Sequence, residues 1–344
     1  MAEKTEKTEQ TVRTVQKGAT SRAAKASPQQ PSPFLLFTKA RVTRADQRVF
    51  VAKLLLAAVL VAIGGLLALS SVPGAAVGGT VLLAAAYTHL VELQHQCLHH
   101  SAFRTSKWHR ICGIPLGVPL LVVYSHYRVR HLQHHRFLGT PQDSEFFGFD
   151  TRQPLTWRAL LRGLLDYARV VTVLKEIARS FSGRWSYDIG QISERRRREI
   201  ITEYRALGVV LSAAALAAVF GHGMPVLRLW VLPLVLAIPM HFLVELPEHL
   251  LCETSTTDVL RNTRSIRGSR FSTWFTNGNN LHVEHHAAMV VPINRLRERH
   301  AEVQRYAVHV EHSYADFYRG LVREVRRIGK SSAQAGKSSL SGST

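Results

Sequence analysis

Two runs of apolar residues, 49–70 and 74–93, limit the folds open to this chain more than any other feature; the first is broken by Lys53 near its start. A run of about twenty such residues crosses the hydrocarbon core of a bilayer as a helix, because in lipid each backbone polar group must find its partner inside the segment. Ser71-Val72-Pro73-Gly74 makes a tight connection between them, so an antiparallel hairpin is expected. Residues 206–221 and 229–246 repeat the pattern around a turn containing Gly221, Gly223 and Pro225. Residues 111–124 are also apolar, but Pro115 and Pro119 favour a re-entrant or surface-lying element over a span. Residues 1–46 and the polar stretch from Ser331 have the composition of disordered tails. That leaves 47–312 as the expected membrane domain and 313–344 as a helix end with a polar tail. The first residues mix acids with bases and lack an early apolar core, unlike a cleaved signal peptide.

Charge gives the orientation. Lys and Arg total 44 against 24 acids, a formal charge of +20, which on a soluble chain would suggest a nucleic-acid partner. Here the bases flank the apolar blocks, and no zinc-finger spacing, aromatic RNA-binding motif or basic zipper accompanies them. An anionic membrane surface is therefore the expected partner, and nucleic acid is not. Ten Lys/Arg lie ahead of the first apolar run, 18 between residues 101 and 205, and 14 from residue 247 onward; only Lys53 and Arg228 lie elsewhere. By the positive-inside rule both short connecting loops face outward, and four crossings place both termini and the central region in the cytoplasm. Cys97, Cys112 and Cys252 are too few and too scattered for a disulfide framework or a Cys-based zinc site.

Eight of the 18 histidines form three compact clusters. His95-Gln-Cys-Leu-His99 has i, i+4 spacing at the end of the second apolar run. His131-Leu-Gln-His134-His135 and His282-Val-Glu-His285-His286 each have i, i+3, i+4 spacing, which puts side chains together on one helix face. Neutral imidazole suits iron, zinc and copper, and eight such ligands exceed the needs of one ion, so a dinuclear centre is implied if the three faces converge. The topology puts all three on one side of the membrane. In Glu245-Leu-Pro-Glu-His249, where the last apolar run ends, His249 is a ninth candidate ligand and Glu245, one helical turn away, a direct or water-bridged partner. His100 points to a neighbouring helix face, which suits an outer or surface role. His89 and His241, inside apolar runs, are read as hydrogen-bonded structural histidines; the other histidines show no ligand grouping.

The order H-x-x-x-H, H-x-x-H-H, H-x-x-H-H, with two membrane hairpins, resembles the membrane fatty acid desaturase and hydroxylase superfamily over about residues 50–300. His131 to Glu145, HLQHHRFLGTPQDSE, looks like its second box with trailing acids, and Asn280-Leu-His282-Val-Glu-His285-His286 like its third. The third box is followed here by Ala287-Ala288-Met289-Val290-Val291-Pro292, retaining only the later proline of the usual continuation. The resemblance implies an all-α integral membrane fold, with four transmembrane helices in two hairpins under a cytoplasmic helical cap that carries the boxes. It further implies an acyl tunnel beneath the metals, two Fe ions held by the boxes, and His249 completing the ligand set.

Removing hydrogen from an unactivated methylene needs an oxidant beyond any side chain, so metal and O2 must supply it. Asp143, Glu145 and Glu284 are candidates to accept the outer N–H of the imidazoles, and Asn280, which opens the third box, joins this outer set. Three isolated cysteines cannot build an iron–sulfur cluster, so electrons must come from a separate ferredoxin or b-type cytochrome. The basic residues 195–198 suit either an acidic carrier or lipid headgroups. Acyl desaturation is the expected reaction. Hydroxylation or ketolation of a lipid, carotenoid or specialised metabolite is the alternative. A metal transporter is the rival of another class, although it should place its ionisable residues at mid-membrane. A zinc hydrolase is disfavoured by the lack of H-E-x-x-H.

Overall fold

The computed structural model describes residues 40–143, 149, 151, 153 and 155–341, and these are mostly helical. The helices used below are α1 (Arg44–Ala68), α2 (Pro73–Leu98), α3 (Lys107–Gly117), α4 (Tyr124–Phe137), α5 (Trp157–Leu164), α6 (Ala168–Phe181), α7 (Glu194–Ala217), α8 (Leu232–Glu245), α9 (His282–Ala287) and α10 (Tyr314–Ser341). Two short strands, β1 (Arg264–Ile266) and β2 (His309–Glu311), pair in parallel. The last helix continues through the polar stretch after Ser331, where composition alone suggests disorder.

Helix α1 starts at a capping box: the Thr43 hydroxyl accepts from the Asp46 backbone N–H at 3.1 Å, and the Asp46 carboxylate accepts from the Thr43 N–H at 2.9 Å. Pro73 opens α2, where its missing N–H costs nothing. The two helices form the expected hairpin. At Gly79 a Cβ would lie 2.2 Å from the Ala68 backbone nitrogen, so only glycine lets the backbones approach this closely. Lys53, the one charge in the first run, donates to the Asn277 side-chain oxygen at 2.8 Å.

Among the described residues, three segments are long and apolar enough to cross a membrane: Arg44–Ala68, Pro73–Leu98 and Glu194–Glu248. The third has 55 residues. A straight helix of that length would extend about 80 Å at 1.5 Å per residue, far beyond the ~30 Å core of a bilayer. The chain instead reverses. Phe220 and Gly221 leave helical geometry, Gly221 with φ +94°, and Tyr204 and His241 line the same crevice. The turn read from Gly221, Gly223 and Pro225 is thus present, but it is wound as π-helical and short helical turns rather than as an open loop.

Residues 111–124 form the end of α3 and a 3-10 turn over Val118–Leu120 that contains Pro119, followed by Leu121 at φ +60°. Proline explains the break, because it removes a backbone donor and clashes with the preceding turn. The break aims α4 back along α2. Tyr124 donates its hydroxyl to the Cys97 carbonyl at 3.0 Å, and Arg128 donates to the Leu98 carbonyl at 2.8 Å, a cation on the open carbonyls that end α2. On the far side, Glu203 of α7 accepts from the Ser125 N–H and hydroxyl at 2.7 and 2.6 Å and from Arg110 at 2.9 Å. An acid at the start of α4 suits the exposed N–H groups there. The first two histidine boxes are locked together by these contacts.

Candidate metal centre

Nine histidines from three boxes and one turn converge on two adjoining points. His95, His99, His131, His135 and His285 form one group, and His134, His249, His282 and His286 the other; within each, one ligand atom per residue lies within 4.8 Å of all the rest. The atoms that meet are Nε2. In the first group His95 and His131 approach to 2.7 Å, His131 and His99 to 2.8 Å, His135 and His131 to 3.0 Å, and His135 and His285 to 3.1 Å. In the second, His249 lies 3.2 Å from His134 and 3.1 Å from His282, and His286 lies 3.1 Å from His282. The groups touch, with the His135 and His286 rings stacked 4.0 Å apart.

Secondary structure accounts for the convergence. His95 and His99 are one turn apart at the end of α2, His131 and His135 one turn apart on α4, and His282 and His286 one turn apart on α9. His134 and His135 are adjacent on α4 and so face different groups, as do His285 and His286 on α9. His249 follows a 3-10 turn over Leu246–Glu248. Buried Arg264 fixes that turn by donating to the Pro247 and Leu250 carbonyls, both at 2.6 Å. Ahead of α9, Asn277 (φ +52°) and Gly278 (φ +91°) turn the chain into the third box.

The donor set fits a metal. Burial first, and the crowding of other imidazoles second, hold His99, His131, His135, His282, His285 and His286 well below the usual histidine range, so they are neutral. His134 donates from Nδ1 to Asp143 at 2.7 Å, His249 to the Asn262 carbonyl at 3.0 Å, and His282 to the Asn279 side-chain oxygen at 3.1 Å. With the proton on Nδ1, each Nε2 presents a bare lone pair to the centre. Lone pairs facing one another at 3.1–3.2 Å repel unless a cation sits among them. Ligand atoms about 2.1 Å from one ion are separated by about 3.0 Å in octahedral and about 3.4 Å in tetrahedral geometry, which matches most of these spacings.

All nine histidines named as ligands lie in the two groups. Of the outer residues, Asp143 meets a ligand imidazole. Glu145 lies outside the described residues. Glu284 is buried, but its oxygens accept from Ser265 and, at 2.6 Å, from His300 rather than from a ligand. Asn280 donates to the Ile266 carbonyl at 2.7 Å and holds the loop before α9. His100 stacks on His109 at 4.7 Å, away from both groups. Glu245 pairs with His241 at 3.1 Å. His89 contacts the Phe275 carbonyl at 2.7 Å and stacks on Trp274, the structural role expected of it.

The sequence reading missed Glu248, Asn279, Arg264 and Ser265. Helical spacing singled out Glu245 over Glu248 in Glu245-Leu-Pro-Glu-His249. The 3-10 turn at Pro247 instead brings Glu248 Oε2 to 3.3 Å from His282 Nε2. Two acids beside His249 were the available signal.

Beside the centre lies an open crevice of about 650 Å³. Val91, Leu121, Val122 and Val173 are among its walls, and Arg130, Arg162 and Arg169 are its bases. Tyr127 lines it as well, and its ring lies 5.6 Å from that of His131 and 6.4 Å from that of His95.

Eight buried imidazoles and the half-buried His135, gathered beside the ends of two membrane-compatible segments, define a histidine-rich membrane metalloprotein. The chain belongs to the fatty acid desaturase family, whose model matches residues 70–318. No curated protein matches it in the corresponding comparison. The family and the histidine clusters together fit a di-iron oxidoreductase acting on an apolar lipid substrate in a membrane context.

Proposed function

We propose that this protein is an O2-dependent di-iron enzyme that desaturates a fatty acyl chain, drawing electrons from a separate ferredoxin or b-type cytochrome. The observation that carries the reading is the meeting of nine Nε2 atoms in two touching groups. His95, His99, His131, His135 and His285 would hold one iron and His134, His249, His282 and His286 the other. Bound there, the pair supplies the O2-derived oxidant that an unactivated methylene requires.

The chain's own residues supply position. Asp143, Asn279 and the Asn262 carbonyl hold the proton of His134, His282 and His249 on Nδ1 and keep each ring aimed inward. The valine and leucine walls of the crevice suit a methylene chain, and Tyr127 separates it from His95 and His131. Arg130, Arg162 and Arg169 offer charge to a polar headgroup at the membrane edge. The reversal at Phe220–Gly221 supports four crossings, and the basic flanks support a cytoplasmic cap and termini. Glu145, Asn280, Glu245 and His100 complete the proposed site as outer residues, and Glu284 joins them through Ser265 and His300 rather than through a ligand imidazole. A second reading, hydroxylation or ketolation of a lipid, carotenoid or specialised metabolite, is favoured by the His241–Glu245 pair, which puts polar partners on the crevice wall.

The test is expression in a host of defined lipid profile, with mass spectrometry of its lipids. Acyl chains lighter by one pair of hydrogens are expected from the native chain and not from His285→Ala. Gain of oxygen without a new double bond would select the second reading. An unchanged profile would point to a specialised substrate. One zinc per chain with O2-independent activity would overturn both readings.

A further inference from the structure

We propose that Arg267, Thr273, Arg297 and Gln304 form a binding site for the phosphate of an anionic phospholipid headgroup, separate from the metal centre and from the open crevice.

The cavity they line measures about 280 Å³, and His300 and Leu281 are also in its wall. None of these residues is a metal ligand or lines the crevice. Charge is the first argument. Two arginines and no acid face the cavity. The acids nearest in sequence turn elsewhere, Glu298 to Arg295 at 3.9 Å and Glu302 to Arg299 at 3.1 Å. Arg267 and Arg297 therefore have no acid partner among the described residues, and each guanidinium presents a planar fork of donors that matches phosphate oxygens. Smaller donors stand beside them. Thr273 accepts from Asn280 Nδ2 at 3.3 Å, and its own hydroxyl proton has no acceptor among the described residues. His300 Nδ1 lies 2.6 Å from Glu284, while its Nε2 is buried with no hydrogen-bond partner among the described residues. A headgroup hydroxyl can either donate to that nitrogen or accept from it.

Position identifies the anion as a lipid's. Arg297 belongs to the turn Ile293–Arg299, in which Asn294 donates to Asp46 at 2.9 Å. Asp46 stands in the first turn of α1, just ahead of the first apolar run, so this turn is tied to the point where the span meets the headgroups. On the other wall, the short helix Arg270–Phe275 carries Thr273 and leaves Phe271 69% exposed, its ring stacked on that of Phe275. Exposed aromatic rings beside arginines suit the membrane interface, where the rings reach the acyl boundary and the bases the phosphates. A site for a soluble anion needs neither feature.

The test uses the full-length chain purified in a non-ionic detergent and titrated with dihexanoyl phosphatidylglycerol, dihexanoyl phosphatidylcholine or inorganic phosphate, reading the thermal midpoint, which a ligand of the folded state raises. Phosphatidylglycerol is expected to raise it and phosphatidylcholine to leave it in place. Arg267→Gln/Arg297→Gln should need about 25-fold more phosphatidylglycerol for the same rise, roughly fivefold for each arginine. Arg323→Gln/Arg326→Gln, which removes two exposed bases of α10, should respond like the native chain. Equal responses to the two lipids, or equal losses in the two double variants, would overturn the site and leave only diffuse attraction. A rise of the same size with inorganic phosphate, abolished in Arg267→Gln/Arg297→Gln, would overturn the lipid assignment in favour of a free anion. Should that double variant fail to fold, the single variants decide: about fivefold weaker binding in each supports the site, and native responses in both refute it.

Discussion

At His134, His249 and His282 the nitrogen turned away from the centre donates to an oxygen, whereas at His99, His135 and His285 the corresponding Nδ1 is buried with no hydrogen-bond partner among the described residues. The difference follows the two ligand groups and not the helices, since His134 shares α4 with His135 and His282 shares α9 with His285. His95, His99, His131 and His135 of the first group come from α2 and α4, helices of 26 and 14 residues that are cross-braced by Tyr124 and Arg128. His249 and His282 come from a 3-10 turn and a six-residue helix, which need hydrogen bonds to stay in place. One half of the centre is oriented by its scaffold, and the other by its outer partners.

The comparison can be broken at its strongest point by removing one ligand from each half. His131→Ala and His282→Ala are both expected to abolish product formation, each removing iron from its own group first; iron analysis with Mössbauer spectra checks this, and identical losses from both groups in both variants would erase the distinction. Next in size is Asp143→Ala. It should weaken the second iron by about 10–100-fold in competition with a chromogenic chelator, leaving the first unchanged. An equal loss at both irons would mean that Asp143 acts through the fold. The smallest effect is expected at His300→Ala. Loss of the His300 contact to buried Glu284 should cost about 1–3 kcal/mol in denaturation, with metal affinity unaltered, because Glu284 reaches no ligand imidazole. A drop in iron affinity there would show that Glu284 belongs to the orienting set after all.

How much of this could be read from the sequence divides along the same line. The box spacings, i and i+4 or i, i+3 and i+4, carry the helical periodicity in themselves, so the ligand faces of α2, α4 and α9 were legible. The first hairpin was legible too, from run length and Pro73-Gly74. Asp143 was found because it trails its box closely. Glu248 and Asn279 were not, since their roles depend on how a 3-10 turn and the left-handed pair Asn277–Gly278 rotate the chain, and no regular period encodes those turns. Arg264 and His300 act from outside the boxes, Arg264 beside the turn that carries His249 and His300 after the third box. The partners of Glu284 were hidden for a related reason. Its neighbours in sequence are ligands, but on α9 it faces Ser265 and His300.

Lys53 carries a consequence for biosynthesis. Its amide acceptor, Asn277, lies 224 residues later in the chain. At about 5–20 residues per second, the first span is in lipid for some ten seconds or more before that acceptor leaves the ribosome. Through that interval the ammonium is solvated by stretching its aliphatic stem to the headgroups. Its bond to Asn277 can close only afterwards, so the tie between the first span and the turn ahead of the third box is among the last contacts the chain can make.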